Sequence, residues 1–186
     1  KPDAAEGDYR LGLTLNPRHP WCANNLGYGL LEAGGDLDEA ERLIAIAYEQ
    51  LPENDSVVDS MGWVRYLRGQ IEDEVDAQGR IVQEGAVTLL SRAVELGGDD
   101  GGAVVLDHLG DALWRADRHE EAIDAWRRAL ESARSEHEAL AQTAPPQHPD
   151  LVELERLMEV LESKIASAQG GESPPVAPIA NELRTP

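Results

Sequence analysis

Large and small apolar residues recur in matching blocks. Asn25-Leu26-Gly27-Tyr28-Gly29-Leu30, Ser60-Met61-Gly62-Trp63-Val64-Arg65 and His108-Leu109-Gly110-Asp111-Ala112-Leu113 align, each with a large apolar residue before a glycine. A second block follows each: Ala40, Ile44 and Ala47; Ala86, Leu90 and Ala93; Ala122, Trp126 and Ala129. Small, large and small residues at that constant spacing share one helical face. Each pair of blocks therefore predicts two helices. The glycine removes a Cβ from the first, the alanines thin the second, and larger side chains fill the gaps. No such pair buries its apolar face alone, so neighbouring pairs must stack.

The pattern resembles the tetratricopeptide repeat, a 34-residue helix-turn-helix unit. Gly27, Leu30, Ala40, Ile44, Ala47 and Pro52 fit it, as do Gly110, Leu113, Ala122, Trp126 and Ala129. The middle unit fits at Gly62, Gly69, Ala86, Leu90 and Ala93, but departs at Arg65 and carries an insertion between its helices. The resemblance implies an all-α fold, a right-handed helix-turn-helix solenoid with a C-terminal capping helix and a disordered tail. Residues 1–19 fit the second helix of a truncated upstream repeat, through Ala5, Tyr9, Gly12 and Pro17, and we expect a longer parent array. Repeat 1 is assigned to 20–54, repeat 2 to 55–102 with an acidic insertion at 70–83, and repeat 3 to 103–143 with an extended second helix.

The insertion carries a turn signal at Gln78-Gly79 between β-branched residues, which predicts a small β-hairpin. Reading it as a calcium loop, with Gly79 at the sixth position, puts Gly85 where the bidentate acid belongs, so calcium does not fit. Asp99-Asp100, between two glycine pairs, reads as an acidic surface loop. Ala144-Pro145-Pro146 breaks the third repeat's second helix. Asp150 is expected to cap a helix over 150–168, with Glu153 as its capping-box partner. Leu151, Leu154, Leu157, Leu161 and Ile165 share one face of it, a lid for the last repeat. After Gln169 the proline- and glycine-rich composition predicts disorder over 169–186.

Composition narrows the function. The chain has 186 residues, with 16 Lys+Arg against 36 Asp+Glu and a formal net charge of −20. Such a surface repels phosphate, which argues against nucleic acid as a partner and disfavours an anionic membrane surface. No apolar run approaches the roughly 18 residues of a spanning helix, so no direct membrane insertion is expected. The single cysteine, Cys22, allows neither an intrachain disulfide nor a multi-cysteine zinc site and reads as a small buried residue. None of the familiar nucleotide, nucleophile-elbow or zinc motifs is present. No catalytic residue, metal site or cofactor is assigned. Of the five histidines, His119 stands where the repeat takes a buried ring between its helices, and His108 is placed at the edge of the groove.

In this repeat family the first helices line a concave groove, and the resemblance implies which positions face it. They are Trp21, Asn24, Tyr28 and Leu31 in repeat 1, Ser56, Asp59, Trp63 and Tyr66 in repeat 2, and Val104, Asp107, Asp111 and Trp114 in repeat 3. Trp and Tyr dominate binding hot spots; the competing reading is that these rings pack between neighbouring first helices. Asp59, Asp107 and Asp111 would make the groove negative and suit a partner segment bearing Arg or Lys. The groove set contains no Lys and Arg115 is at best near its edge, which rejects the clamp that some family members place on acidic chaperone tails.

The wording of the three first-helix motifs is also similar to the last repeats of bacterial envelope tetratricopeptide adaptor lipoproteins. That resemblance implies a periplasmic or envelope-associated place, with a cytoplasmic one left open. The expected function is a non-catalytic protein–protein scaffold that grips a partner segment. The alternatives are a structural array that self-associates through its ends and, third, a metal-binding or enzymatic role.

Overall fold

Each repeated glycine meets the residue its spacing points to. A Cβ added at Gly27 would stand 2.7 Å from Ile44 Cγ1, one at Gly62 2.8 Å from Leu90 Cγ, and one at Gly110 2.3 Å from Trp126 Nε1. These contacts join helices into pairs. The structure is a computed structural model and describes residues 2–98, 101–180 and 182. Among them are eight helices: α1 (Pro2–Leu15), α2 (Pro20–Glu32), α3 (Leu37–Tyr48), α4 (Asp55–Leu67), α5 (Ala86–Leu96), α6 (Ala103–Arg115), α7 (His119–Ala141) and α8 (Pro149–Gln169). Helix α2 packs on α3, α4 on α5 and α6 on α7, and α1 stacks on α2.

Local chemistry sets the helix ends. The Asp36 carboxylate accepts from the backbone N–H groups of Asp38 (2.9 Å) and Glu39 (3.1 Å), and Asn54 accepts from that of Val57 (3.1 Å). Burial follows the repeat pattern. Ala40, Ile44, Ala47, Leu90, Ala93, Ala122, Trp126 and Ala129 are fully buried. The first helices also touch one another, α2 with α4 and α4 with α6. That ladder is the concave face.

The expected hairpin forms. β1 (Glu74–Val75) pairs antiparallel with β2 (Ile81–Gln83), and Gly79 turns the chain at φ 76°. Asp76 accepts from the backbone N–H groups of Gln78 and Arg80, closing the turn. Asp99 and Asp100 lie outside the described residues.

The C-terminal part departs from expectation twice. His148, not Asp150, caps α8, its ring nitrogen accepting from the Asp150 N–H, with Pro149 at the first helical position. Helix α8 does lie against α7, with Leu151 and Leu161 buried. The tail is not disordered where it is described. Pro174 is buried, and Val176, Ala177 and Ile179 pack against the core cluster. Its proline-rich composition cannot build a core of its own, but main-chain groups can still be held by side chains elsewhere. Residues 181 and 183–186 of the expected disordered stretch lie outside the described residues.

Candidate partner-binding groove

The groove begins as a run of rings. Trp63 stacks on Tyr66 at 4.6 Å and 6°, and on His108 at 3.9 Å and 13°; His108 lies 6.3 Å from the ring of Tyr28. Helices α4, α6 and α2 each supply part of this ladder. Trp63 and Tyr66 are buried, so they build the groove wall more than they project from it. Trp114 sits elsewhere, between His119 (4.0 Å) and Trp126 (5.8 Å) at the α6–α7 seam. His119 corrects its expectation: it is an exposed ring stacked on Trp114, because it lies at the first turn of α7. Of the remaining groove positions, Leu31 and Asn24 are buried and Trp21 is exposed. The Asn24 Oδ1 atom finds no hydrogen-bond partner among the described residues.

The three acids are not a free negative surface. His108 Nδ1 is 2.9 Å from Asp59 Oδ1, and both side chains are buried. Burial pulls the His108 imidazole down, but Asp59, with Asp107 and Asp111 beyond it, carries the net shift upward. Lys164 of α8 donates to Asp107 Oδ1 and to Asp111 Oδ1, each at 2.6 Å. Burial opposes its charge, yet the two carboxylates raise its pKa, so it stays an ammonium. Trp126 Nε1 also donates to Asp111 at 3.2 Å. The expectation of a groove suited to basic ligands is corrected here, because the protein already supplies the cations.

At Tyr66, the end of the ring ladder, the protein's own tail makes contact. The Ala177 N–H donates to Asp111 Oδ2 at 2.9 Å. The Ala177 carbonyl accepts from the Tyr66 hydroxyl and from Arg115 Nη2 (3.0 Å). Burial, with Asp111 nearby, pushes the Tyr66 hydroxyl above its ordinary value near 10, so it remains a donor. Arg115 Nε donates to the Tyr66 oxygen at 2.9 Å, and its two Nη atoms grip Glu182 at 2.9 and 2.7 Å. That fork holds the Glu182 carboxyl below its ordinary value. Further along, the Ala180 N–H donates to the Leu67 carbonyl at 2.8 Å. The sequence reading puts Arg115 at best near the groove's edge, one residue after Trp114, whereas the structure has it bonding Tyr66 and the tail. Lys164 has no groove role in that reading at all.

Comparison with known proteins agrees with this architecture. No family model matches the chain. A segment of 68 residues is 34% identical to the TPR repeat-containing protein PA4667 of Pseudomonas aeruginosa, covering 37% of this chain and 12% of that protein. This chain thus spans only a small part of its relative's length. Among solved structures, the crystal structure of MamA superposes with a TM-score of 0.51 at 17% identity, covering 89% of this chain and 91% of that one. The fold is a tetratricopeptide-repeat solenoid. Within it, the tetratricopeptide groove is the concave face just described, with one ordered segment of the chain lying in it. Among the described residues, no group of three or more His, Cys, Asp or Glu could hold a metal ion, and no helix is long and apolar enough to cross a membrane.

Proposed function

We propose that this chain is a non-catalytic scaffold that holds an extended segment of a partner protein in its concave groove. What supports the reading most is the treatment of Ala177. Its N–H and its carbonyl are both met by groove side chains, from Asp111 on one side and from Tyr66 and Arg115 on the other. Side chains that satisfy a backbone donor and acceptor together suit any extended peptide. Proteins carrying these repeats bind other proteins, which agrees. Asp59 pairs with His108, and Asp107 and Asp111 share Lys164, so the charge a partner would meet, once the tail's Glu182 leaves it, is that of Arg115, and the partner segment brings a carboxylate to it.

The test is capture of partners from a lysate of the source organism by the wild-type chain and by Arg115→Glu, with chemical cross-linking and mass spectrometry. A partner lost only with Arg115→Glu supports the groove. Identical partner sets from the two chains contradict it.

A further inference from the structure

We infer that the tail, through residues 174–180 and Glu182, is a resident competitor for the groove, and that the partner segment shares its chemistry. That chemistry is an extended, proline-containing apolar stretch with a carboxylate five residues beyond the one whose carbonyl meets Tyr66 and Arg115. A larger apolar side chain stands where the tail has Ala180. The inference rests on the groove being a partner site and adds what fills it at rest.

Three observations carry it. First, the tail is held mainly by its backbone and one acid. Asp111, Tyr66, Arg115 and the Leu67 carbonyl take main-chain groups of Ala177 and Ala180, and Arg115 takes the Glu182 carboxylate with two nitrogens. Such contacts do not depend on the tail being covalently part of the chain. Second, the tail is not sealed into the core: among its described residues Pro174 alone is buried, while Val176, Ala177 and Ile179 keep part of their surface in water and Pro175, Pro178 and Glu182 are exposed. The Arg115–Glu182 fork is half open to water on its acid side, so a competing carboxylate can reach the guanidinium. The tail is therefore seated and displaceable. Third, it underfills its seat. A cavity of about 380 Å³ opens beside Ala180, with Leu31, Leu37, Leu67 and Arg68 in its wall. A methyl group leaves that space empty, and a Leu or Ile side chain at the same register would enter it.

A tethered ligand competes at an effective concentration of order mM. A free peptide of the same sequence must therefore bind the intact chain weakly and a tail-released chain better. The probe is a fluorescein-labelled synthetic peptide spanning residues 172–186, with an Ala180→Leu version beside it. Each is titrated by anisotropy into the full-length wild type, the full-length Ile179→Asp/Glu182→Gln variant, and that variant carrying Arg115→Glu. Ala177→Pro, which removes the N–H that Asp111 accepts, is a second release variant, and circular dichroism checks that every chain folds.

The expected result is about tenfold tighter binding to either release variant than to wild type. The Ala180→Leu peptide should gain about tenfold more on the released chains, and Arg115→Glu should abolish both. Equal binding to wild type and released chains overturns the competition. No gain from Ala180→Leu overturns the underfilled seat. Failure of both peptides on released chains overturns the shared chemistry. In that last case the groove reading still stands or falls on whether Arg115→Glu loses captured partners.

Discussion

The hydroxyl of Tyr66, on α4, donates to the backbone carbonyl of Ala177, 111 residues further along the chain, while accepting from Arg115 of α6. One side chain thus ties the second repeat, the third repeat and the tail together. Tyr66→Phe removes that hydroxyl and keeps the stacked ring. We expect the solenoid to keep its fold and the tail to loosen by about 1 kcal/mol, the usual worth of such a bond. Amide exchange at Ala177 should be roughly fivefold faster, with helix amides unchanged. Unchanged exchange at Ala177 would show that the hydroxyl does not hold the tail.

Gly110 is tighter against its neighbour than Gly27 or Gly62. A Cβ there would meet the indole of Trp126 at 2.3 Å, and Trp126 is fully buried. Gly110→Ala must displace that ring, and we expect a loss of about 1–3 kcal/mol in urea unfolding. Gly29 has nothing within 4 Å of the same added atom. Gly29→Ala should be neutral or stabilise by up to about 1 kcal/mol through helix propensity. Equal effects at the two sites would mean that the close approach is not what the glycine serves.

Lys164 is the cation for Asp107 and Asp111, and its side chain is only 4% exposed. Lys164→Met leaves carboxylates in a poorly hydrated site, and we expect it to cost about 3–5 kcal/mol. Combining it with Asp107→Asn and Asp111→Asn should recover most of that loss, because no charge is then stranded. Urea unfolding of the single and triple variants reads both. A single variant within about 1 kcal/mol of wild type would contradict the pairing.

His108 should titrate above the ordinary value of about 6.5, because Asp59 and the acids beyond it outweigh its burial. A histidine raised in the folded state contributes stability that is fully present below the unfolded value and is lost as pH rises through the folded one. The wild type should therefore exceed Asp59→Asn in stability by more at pH 6 than at pH 9. In Asp59→Asn, burial remains without its counter-charge, so the imidazole should titrate lower. Proton NMR of the His108 ring gives both values, and a wild-type value below 6.5 would contradict this.

Much of the fold is legible in the residues because its determinants are local and periodic. Gly27, Gly62 and Gly110 with the alanines opposite them announce helix pairs, and Gln78-Gly79 announces its hairpin. The site was harder to read. Asp107 and Asp111 look exposed and negative from their own helix, because the lysine that neutralises them comes from α8, on a face where charged residues usually point to water. The family resemblance implies groove positions for Trp63 and Tyr66, but it does not say that they stack on each other. Ser173-Pro174-Pro175 reads as disorder because it has no apolar periodicity, and a segment held by its backbone needs none.

The most direct test is hydrogen–deuterium exchange over residues 174–182 in the full-length chain and in Arg115→Glu. A seated tail should exchange at least tenfold more slowly in the wild type than in the variant, with α2, α4 and α6 alike in both. A wild-type tail exchanging as fast as an unstructured peptide would show that the groove holds no segment of this chain.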